Sequence, residues 1–243
     1  MKDSPVNLTD HQYWMLDIAV EDPVDSVTLL QQESYTNSGE MRAPLNLAVE
    51  EIVDIAISLF QAGYISIEID RQELEKIEEI SRLKEKMINT SLSDEGQEVF
   101  RYELTTLGGE IWEDYSNPNW DYYVIGYLNV RNYPNFYVGN LSCRSKTTLE
   151  KVLESRSMAP SLGLSRPSSH RPIAGTDIWT ELGRWDATYW KTLDCGFKVE
   201  YKCDPIIDSI HIDDDKVMSS EELELYHFHH SLKEKWYTNY IDR

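Results

Sequence analysis

No run in the chain approaches the roughly 18 uninterrupted apolar residues that a membrane span requires. Met1-Lys2-Asp3-Ser4-Pro5 is too polar for a secretory leader. Cysteine is scarce, with 3 in 243 residues, an odd and sparse set that suits a reducing compartment. Cys195 and Cys203 flank a stretch that reads as extended chain, which holds them too far apart for a disulfide. Together these absences set the expectation of a cytoplasmic protein.

Catalytic signatures are missing as well. There is no His-Glu-x-x-His, no paired Cys-x-x-Cys and no Gly-x-Ser-x-Gly. Ser168, Ser169 and His170 fall in a proline-rich stretch with no strand-to-helix elbow around them. Cys143 precedes Arg144, whose charge would lower a thiol pKa, but a buried cysteine at the end of a strand fits the pattern better. Gly108-Gly109 opens a helix among acidic residues that would oppose an anion. His211, Asp213, Asp214, Asp215, His227, His229 and His230 form the one metal-like cluster. His227 and His230 are three apart on an expected helix and would share a face, so His211, His227 and His230 are the candidate ligands. Three aspartates before a capped helix are equally the mark of a solvated turn. The expectation is a protein that is not an enzyme, with no cofactor.

What is present is an abundance of acidic and aromatic side chains. Apolar residues make up 41% and aromatics 11%, with 7 Trp and 15 Tyr, enough for folded cores. The formal net charge is -20, and its distribution is uneven. Residues 1–120 carry 8 Lys and Arg against 25 Asp and Glu, whereas residues 121–243 carry 15 against 18. The first half would repel a phosphate backbone and steer a basic protein toward itself. Solubility alone is the blander account of such a composition.

Thr9 and Gln12 form a capping box for a helix over about 9–21, with Tyr13, Leu16, Ala19 and Val20 on its inner face. Ser26–Tyr35 reads as a second helix. In the third, Val49, Ile52, Val53, Ala56, Leu59 and Phe60 make an apolar stripe opposite Glu50, Glu51 and Asp54, and Gly63 follows as C-cap. Ile65, Ile67 and Ile69 alternate as a strand. Leu74, Ile77, Ile80, Leu83 and Met87 then predict a helix over about 71–88 in charged sequence. That helix either packs on its own domain or pairs with a second copy as a homodimer. Phe100, Tyr102 and Leu104 make a return strand, and Thr106 caps the helix after it.

The run Tyr102-Glu103-Leu104-Thr105-Thr106-Leu107-Gly108-Gly109, after a helix and two strands, resembles the Tyr-x-Leu-Thr-x-x-Gly ending of the wing in winged-helix regulators of the MarR and PadR kind. The resemblance covers residues 8–116. It implies a winged-helix-like domain with an enlarged wing, and such regulators bind DNA. The third helix departs from them by showing solvent its acids, where base readout needs Arg, Lys, Asn or Gln.

Asn117-Pro118-Asn119 marks a boundary, so residues 120–243 form a second domain. There Trp120-Asp121-Tyr122-Tyr123 reads as core or interdomain packing, Phe136–Leu141 as a strand, and Ser145 as the cap of a helix. Ala159–Pro172 reads as a loop. Thr188–Trp190 and Phe197–Cys203 are expected to pair as antiparallel strands, and Ile206–Ile212 adds another. Ser219 and Glu222 cap a last helix over about 220–240, with Leu223, Tyr226 or His227, His230 and Tyr237 along its inner side. The expected fold is α+β throughout: winged-helix-like domain first, small α+β domain second.

Two function classes follow. The first is an acidic protein that docks on a basic partner, with Glu50, Glu51, Asp54, Glu75, Glu78 and Glu79 as contacts. Its most specific form resembles a bacterial immunity protein that neutralises a basic toxin, such as a nuclease. The second is a winged-helix transcription regulator with a ligand-sensing C-terminal domain. Because basic residues are scattered, nucleic acid is the weaker expectation.

Overall fold

The computed structural model describes residues 7–25, 29, 47–69, 72–73, 84–85, 100–129, 136–158, 171–204 and 219–237. Helices and antiparallel sheets make a mixed α+β protein. The chain divides into two compact units: Met1–Asn117 with Thr188–Lys191 and Asn239–Arg243, and Pro118–Ala187 with Thr192–Thr238. Among the described residues no helix is long and apolar enough to cross a membrane.

In the first unit, α1 (Asp10–Ile18) starts on the Thr9–Gln12 capping box, with bonds of 3.0 and 3.2 Å in the two directions. Strand β1 (Val24–Asp25) follows, then α2 (Val49–Gln61), β2 (Ile65–Ile69), β3 (Gln72–Glu73), β4 (Phe100–Leu104) and α3 (Thr106–Ser116). The sheet runs β1-β4-β2-β3, all neighbours antiparallel. Gly63, at φ 75, takes the left-handed conformation that ends α2 and turns the chain into β2. Ile52, Val53, Ala56 and Leu59 of α2 pack inward with Ile65, Ile67, Tyr102 and Leu104 of the sheet, as their helical and alternating spacings dictate.

Several local expectations change. Thr105, not Thr106, caps α3, its hydroxyl accepting from the Gly108 amide at 3.0 Å, because Thr105 keeps the extended backbone that a cap requires. Gln72 and Glu73 lie beside Ile69 and Glu68 as β3, so a helix does not begin at 71; pairing satisfies backbone groups of β2 that would otherwise form an open edge. Lys84 and Glu85 are helical, while residues 71, 74–83 and 86–88 of the expected helix lie outside the described residues. So does the expected Ser26–Tyr35 helix, apart from the buried, helical Leu29.

The segment Thr188–Lys191 closes this unit. Tyr189 donates its hydroxyl to the Ala19 carbonyl at 2.6 Å and accepts the Leu104 amide at 2.7 Å. The Trp190 indole donates to the Val20 carbonyl at 2.9 Å and stands edge-on to Trp112. Lys191 pairs with Glu113 at 2.6 Å, with both side chains largely covered. The expected pairing of Thr188–Trp190 with Phe197–Cys203 is thereby overturned, since these aromatic side chains find their partners just past α1, on β4 and on α3.

The second unit opens with a 3-10 turn at Trp120–Tyr122 and continues through β5 (Ile125–Asn129), β6 (Tyr137–Cys143), α4 (Lys146–Met158), β7 (Arg171–Pro172), β8 (Ile178–Leu182), β9 (Trp185–Asp186), β10 (Thr192–Leu193), β11 (Gly196–Asp204), α5 (Ser220–His230) and α6 (Leu232–Trp236). β11 is central. It pairs with β6 on one side and with both β8 and β7 on the other, and β5 flanks β6. One sheet face, including Leu141, Cys143, Val199 and Tyr201, packs against Leu149 and Val152 of α4 and Phe228 of α5. The other face turns Glu200 and Lys202 to solvent.

Trp120 and Tyr123 are buried with Trp236 and Tyr237, their rings 4.3 to 5.8 Å apart where they touch. The last helix is divided at Ser231 into α5 and α6. Its inner side carries Leu225 and Phe228, while Leu223 is exposed, because the apolar stripe is offset from the one the histidines suggest. The expected strand over Ile206–Ile212, and Ala159–Pro172 up to residue 170, lie outside the described residues.

Candidate binding surfaces

The acids expected on the first unit differ in what they do. Glu50, Glu51 and Asp54 are all exposed on α2. Glu51 accepts the Ala48 amide at 2.9 Å and so caps the helix that carries it. Asp54 accepts from Lys84 at 2.7 Å in a half-exposed pair. Glu50 points to solvent from the first turn, where a carboxylate also favours the helix dipole. Glu75, Glu78 and Glu79 lie outside the described residues, so the structure places three of the six expected contacts on one helix.

The histidine cluster is not assembled among the described residues. His227 is exposed, His229 lies 3.4 Å from the buried Ser155 hydroxyl through Nδ1, and His211 and Asp213 to Asp215 lie outside the description. No group of three His, Cys, Asp or Glu able to hold a metal ion occurs among the described residues.

Ser168, Ser169 and His170 lie outside the described residues, whereas Cys143 and the glycine pair have structural explanations. Cys143 is fully buried and burial pushes its thiol up to about 12, so Arg144 does not activate it. The Cys195 side chain and Asp121, 3.7 Å away, hold the Arg144 guanidinium above its ordinary value. The glycine pair is a packing device. A Cβ on Gly108 would stand 1.8 Å from the Tyr64 carbonyl oxygen, and one on Gly109 would stand 2.0 Å from the Trp190 ring.

Sequence reasoning passed over a cleft in the second unit. It has a volume of about 600 Å³ and lies between α4 and the β7–β8 side of the sheet. Glu150, Leu153, Glu154 and Ser157 recur at helical spacing on α4 and form one wall. Opposite, the sheet edge is interrupted after β7. Ile173 bonds back to the Lys202 carbonyl at 2.8 Å, and Gly175, at φ 74, turns the chain so that Thr176 donates to Ile173. The Thr176 hydroxyl then accepts the Lys202 amide at 3.0 Å, in place of a strand carbonyl. This bulge sets Ile173, Ala174 and Asp177 along the second wall.

The two walls differ from the floor in chemistry. Glu150, Glu154 and Asp177 are exposed at the rim, while Leu153, Pro172 and Trp179 are half-buried and Tyr201 is buried. Gly139 faces Tyr201 across the β6–β11 pair, and a Cβ there would stand 2.4 Å from the ring, so glycine makes room for it. Burial raises the Tyr201 phenol above its ordinary value despite Arg156, which donates to its oxygen at 2.9 Å. Trp179 donates its indole N–H to Asp177 at 3.0 Å, and the Lys146 ammonium lies 5.3 Å from that ring while pairing with Glu150 at 3.7 Å. Glu150, Leu153 and Glu154 on one helix face, with acids beside a leucine, were the signal available in the sequence.

Comparison with protein-family models, with curated proteins and with solved structures found no match to this chain.

Proposed function

We propose that the chain is a non-enzymatic acidic binding protein that docks on a basic protein partner, in its most specific form an immunity protein that neutralises a cognate toxin. In this reading the first unit is a winged-helix-like domain with an enlarged wing, cytoplasmic, in which α2 serves as a docking helix and not as a reader of bases. The carrying observation is charge placement: residues 1–120 hold 25 of the 43 acidic residues and 8 of the 23 basic ones, and Glu50 faces solvent from α2. Such a field raises the encounter rate with a basic partner and fixes register, while affinity comes from the groups it brings together.

The order helix, glycine turn, strand, return strand, capped helix supports the winged-helix reading. The regulator alternative loses ground because Lys84, one of the 8 basic residues of the first half, is paired with Asp54 at 2.7 Å and not held ready for a phosphate. The experiment is affinity capture by the full chain, with identification of what is retained, repeated with Glu50→Arg and at raised salt. A single basic protein retained at low salt and weakened by both changes is expected. Retention indifferent to both removes α2 as the interface.

A further inference from the structure

We propose that the cleft between α4 and the β7–β8 edge receives an arginine side chain of a basic peptide segment, stacked on the Trp179 ring with its guanidinium between Asp177 and Glu154. This shares the basic partner with the reading above, but it uses a different surface in the other unit and does not depend on α2.

Three features converge on that occupant. An exposed acidic rim over a half-buried aromatic and aliphatic floor complements a long apolar stem that ends in positive charge. A volume of about 600 Å³ accommodates such a side chain together with adjoining backbone. The rim carboxylates do not converge on a point that would hold a metal ion. Separated carboxylates beside a flat ring favour a planar fork with five donors over a point charge.

The protein's own side chains already display the components. The Lys146 ammonium lies over Trp179 at 5.3 Å and against Glu150 at 3.7 Å, so ring and carboxylate act together on a cation in the resting chain. Lys146 is half-exposed, and as an i,i+4 pair on a helix surface its contact is a weak one. Glu154 and Asp177 have no cation of their own among the described ion pairs. An incoming guanidinium therefore meets two carboxylates that pair with no cation among the described residues, and the ring whose indole N–H is held by one of them, at 3.0 Å. A charge-assisted bond to Asp177 would be felt directly at that indole.

The test uses the full chain labelled with nitrogen-15, with the indole resonance of Trp179 assigned from Trp179→Phe. The probe is a short glycine-serine peptide with one central arginine, compared with the same peptide carrying citrulline, which keeps the shape and removes the charge. The arginine peptide should shift the Trp179 indole signal in a saturable way, and citrulline should weaken binding about tenfold. Glu154→Gln and Asp177→Asn should each weaken it about threefold with the melting temperature unchanged, whereas Glu50→Arg should leave it unaltered. A stationary indole signal up to about 10 mM peptide overturns the proposal. So does equal binding of the citrulline peptide, or equal weakening by Glu50→Arg, which would assign the attraction to the overall field of the protein. The Glu50→Arg arm also separates the two proposals, because the capture experiment depends on that residue and this one does not.

Discussion

In the first unit the half-buried Trp190 ring that stands against Trp112 comes from a segment far along the chain, whereas in the second unit Trp120 and Tyr123 are covered by Trp236 and Tyr237 of its own C-terminal helix region. The first solution leaves the Ala19 carbonyl and the Leu104 amide dependent on a distant tyrosine; the second closes its aromatic core with ring-on-ring packing. A unit's integrity is thus a matter of which groups would be orphaned, and not of how many residues it holds in sequence.

The sharpest way to break this comparison is Trp190→Ala. Removing a ring fitted against Gly109 and Trp112 should cost about 3–5 kcal/mol in the first unit. Tyr189→Phe keeps the ring but orphans the Leu104 amide, and should cost about 1–3 kcal/mol. Amide hydrogen exchange followed by residue is the measurement: protection should fall at Ile65 and Tyr102 more than at Leu141 and Val199. An equal fall at all four would mean that the two units unfold as one.

What could be read from sequence was what neighbours decide. The Thr9–Gln12 and Ser219–Glu222 capping boxes form because both partners lie within one helical turn, and both are present. Ile65 and Ile67 alternate inward because a strand's pleat has period two. Tyr189 and Trp190 could not be read in this way. Their β-like composition suggests a strand, but Ala19 and Val20 lie 170 positions away, and no local pattern carries that distance. Trp179 and Glu154 likewise line one cleft whose second wall is set by the bulge at Ile173–Asp177, so the cleft was invisible while its helical wall was not. The acidic face of α2 was legible as composition; that Glu51 caps and Asp54 pairs was not.

A smaller effect sharpens the contrast within that acidic face. Glu51→Ala should lower stability by about 0.5 kcal/mol through the lost cap. Asp54→Asn should cost about 0–1 kcal/mol, since its pair with Lys84 is exposed. Chemical denaturation of both variants beside Glu50→Gln would rank the three, and Glu50 should register least.

The mildest prediction concerns the thiols. Cys195 is exposed, while Cys143 and Cys203 are buried. One thiol of three should therefore react with an aromatic disulfide reagent at pH 8 in the folded protein, and all three after denaturation. Because burial raises Cys143 from 9.0 to about 12, the folded state retains its proton where the unfolded state loses it. That contribution to stability is complete below pH 9.0 and disappears as pH climbs toward about 12. Rapid reaction of two thiols at pH 8 would show that the interior of the second unit opens more readily than its packing implies.

The placement of Thr188–Lys191 also sets a timetable. During synthesis the first 117 residues leave the ribosome well before the tyrosine that answers Leu104 or the tryptophan that fills the space over Gly109. At about 5–20 residues per second, the roughly seventy residues in between take several seconds. For that interval the nascent first unit is an acidic body with an open aromatic seat. Translation speed, as well as sequence, then governs how long its unfinished core is open to other chains.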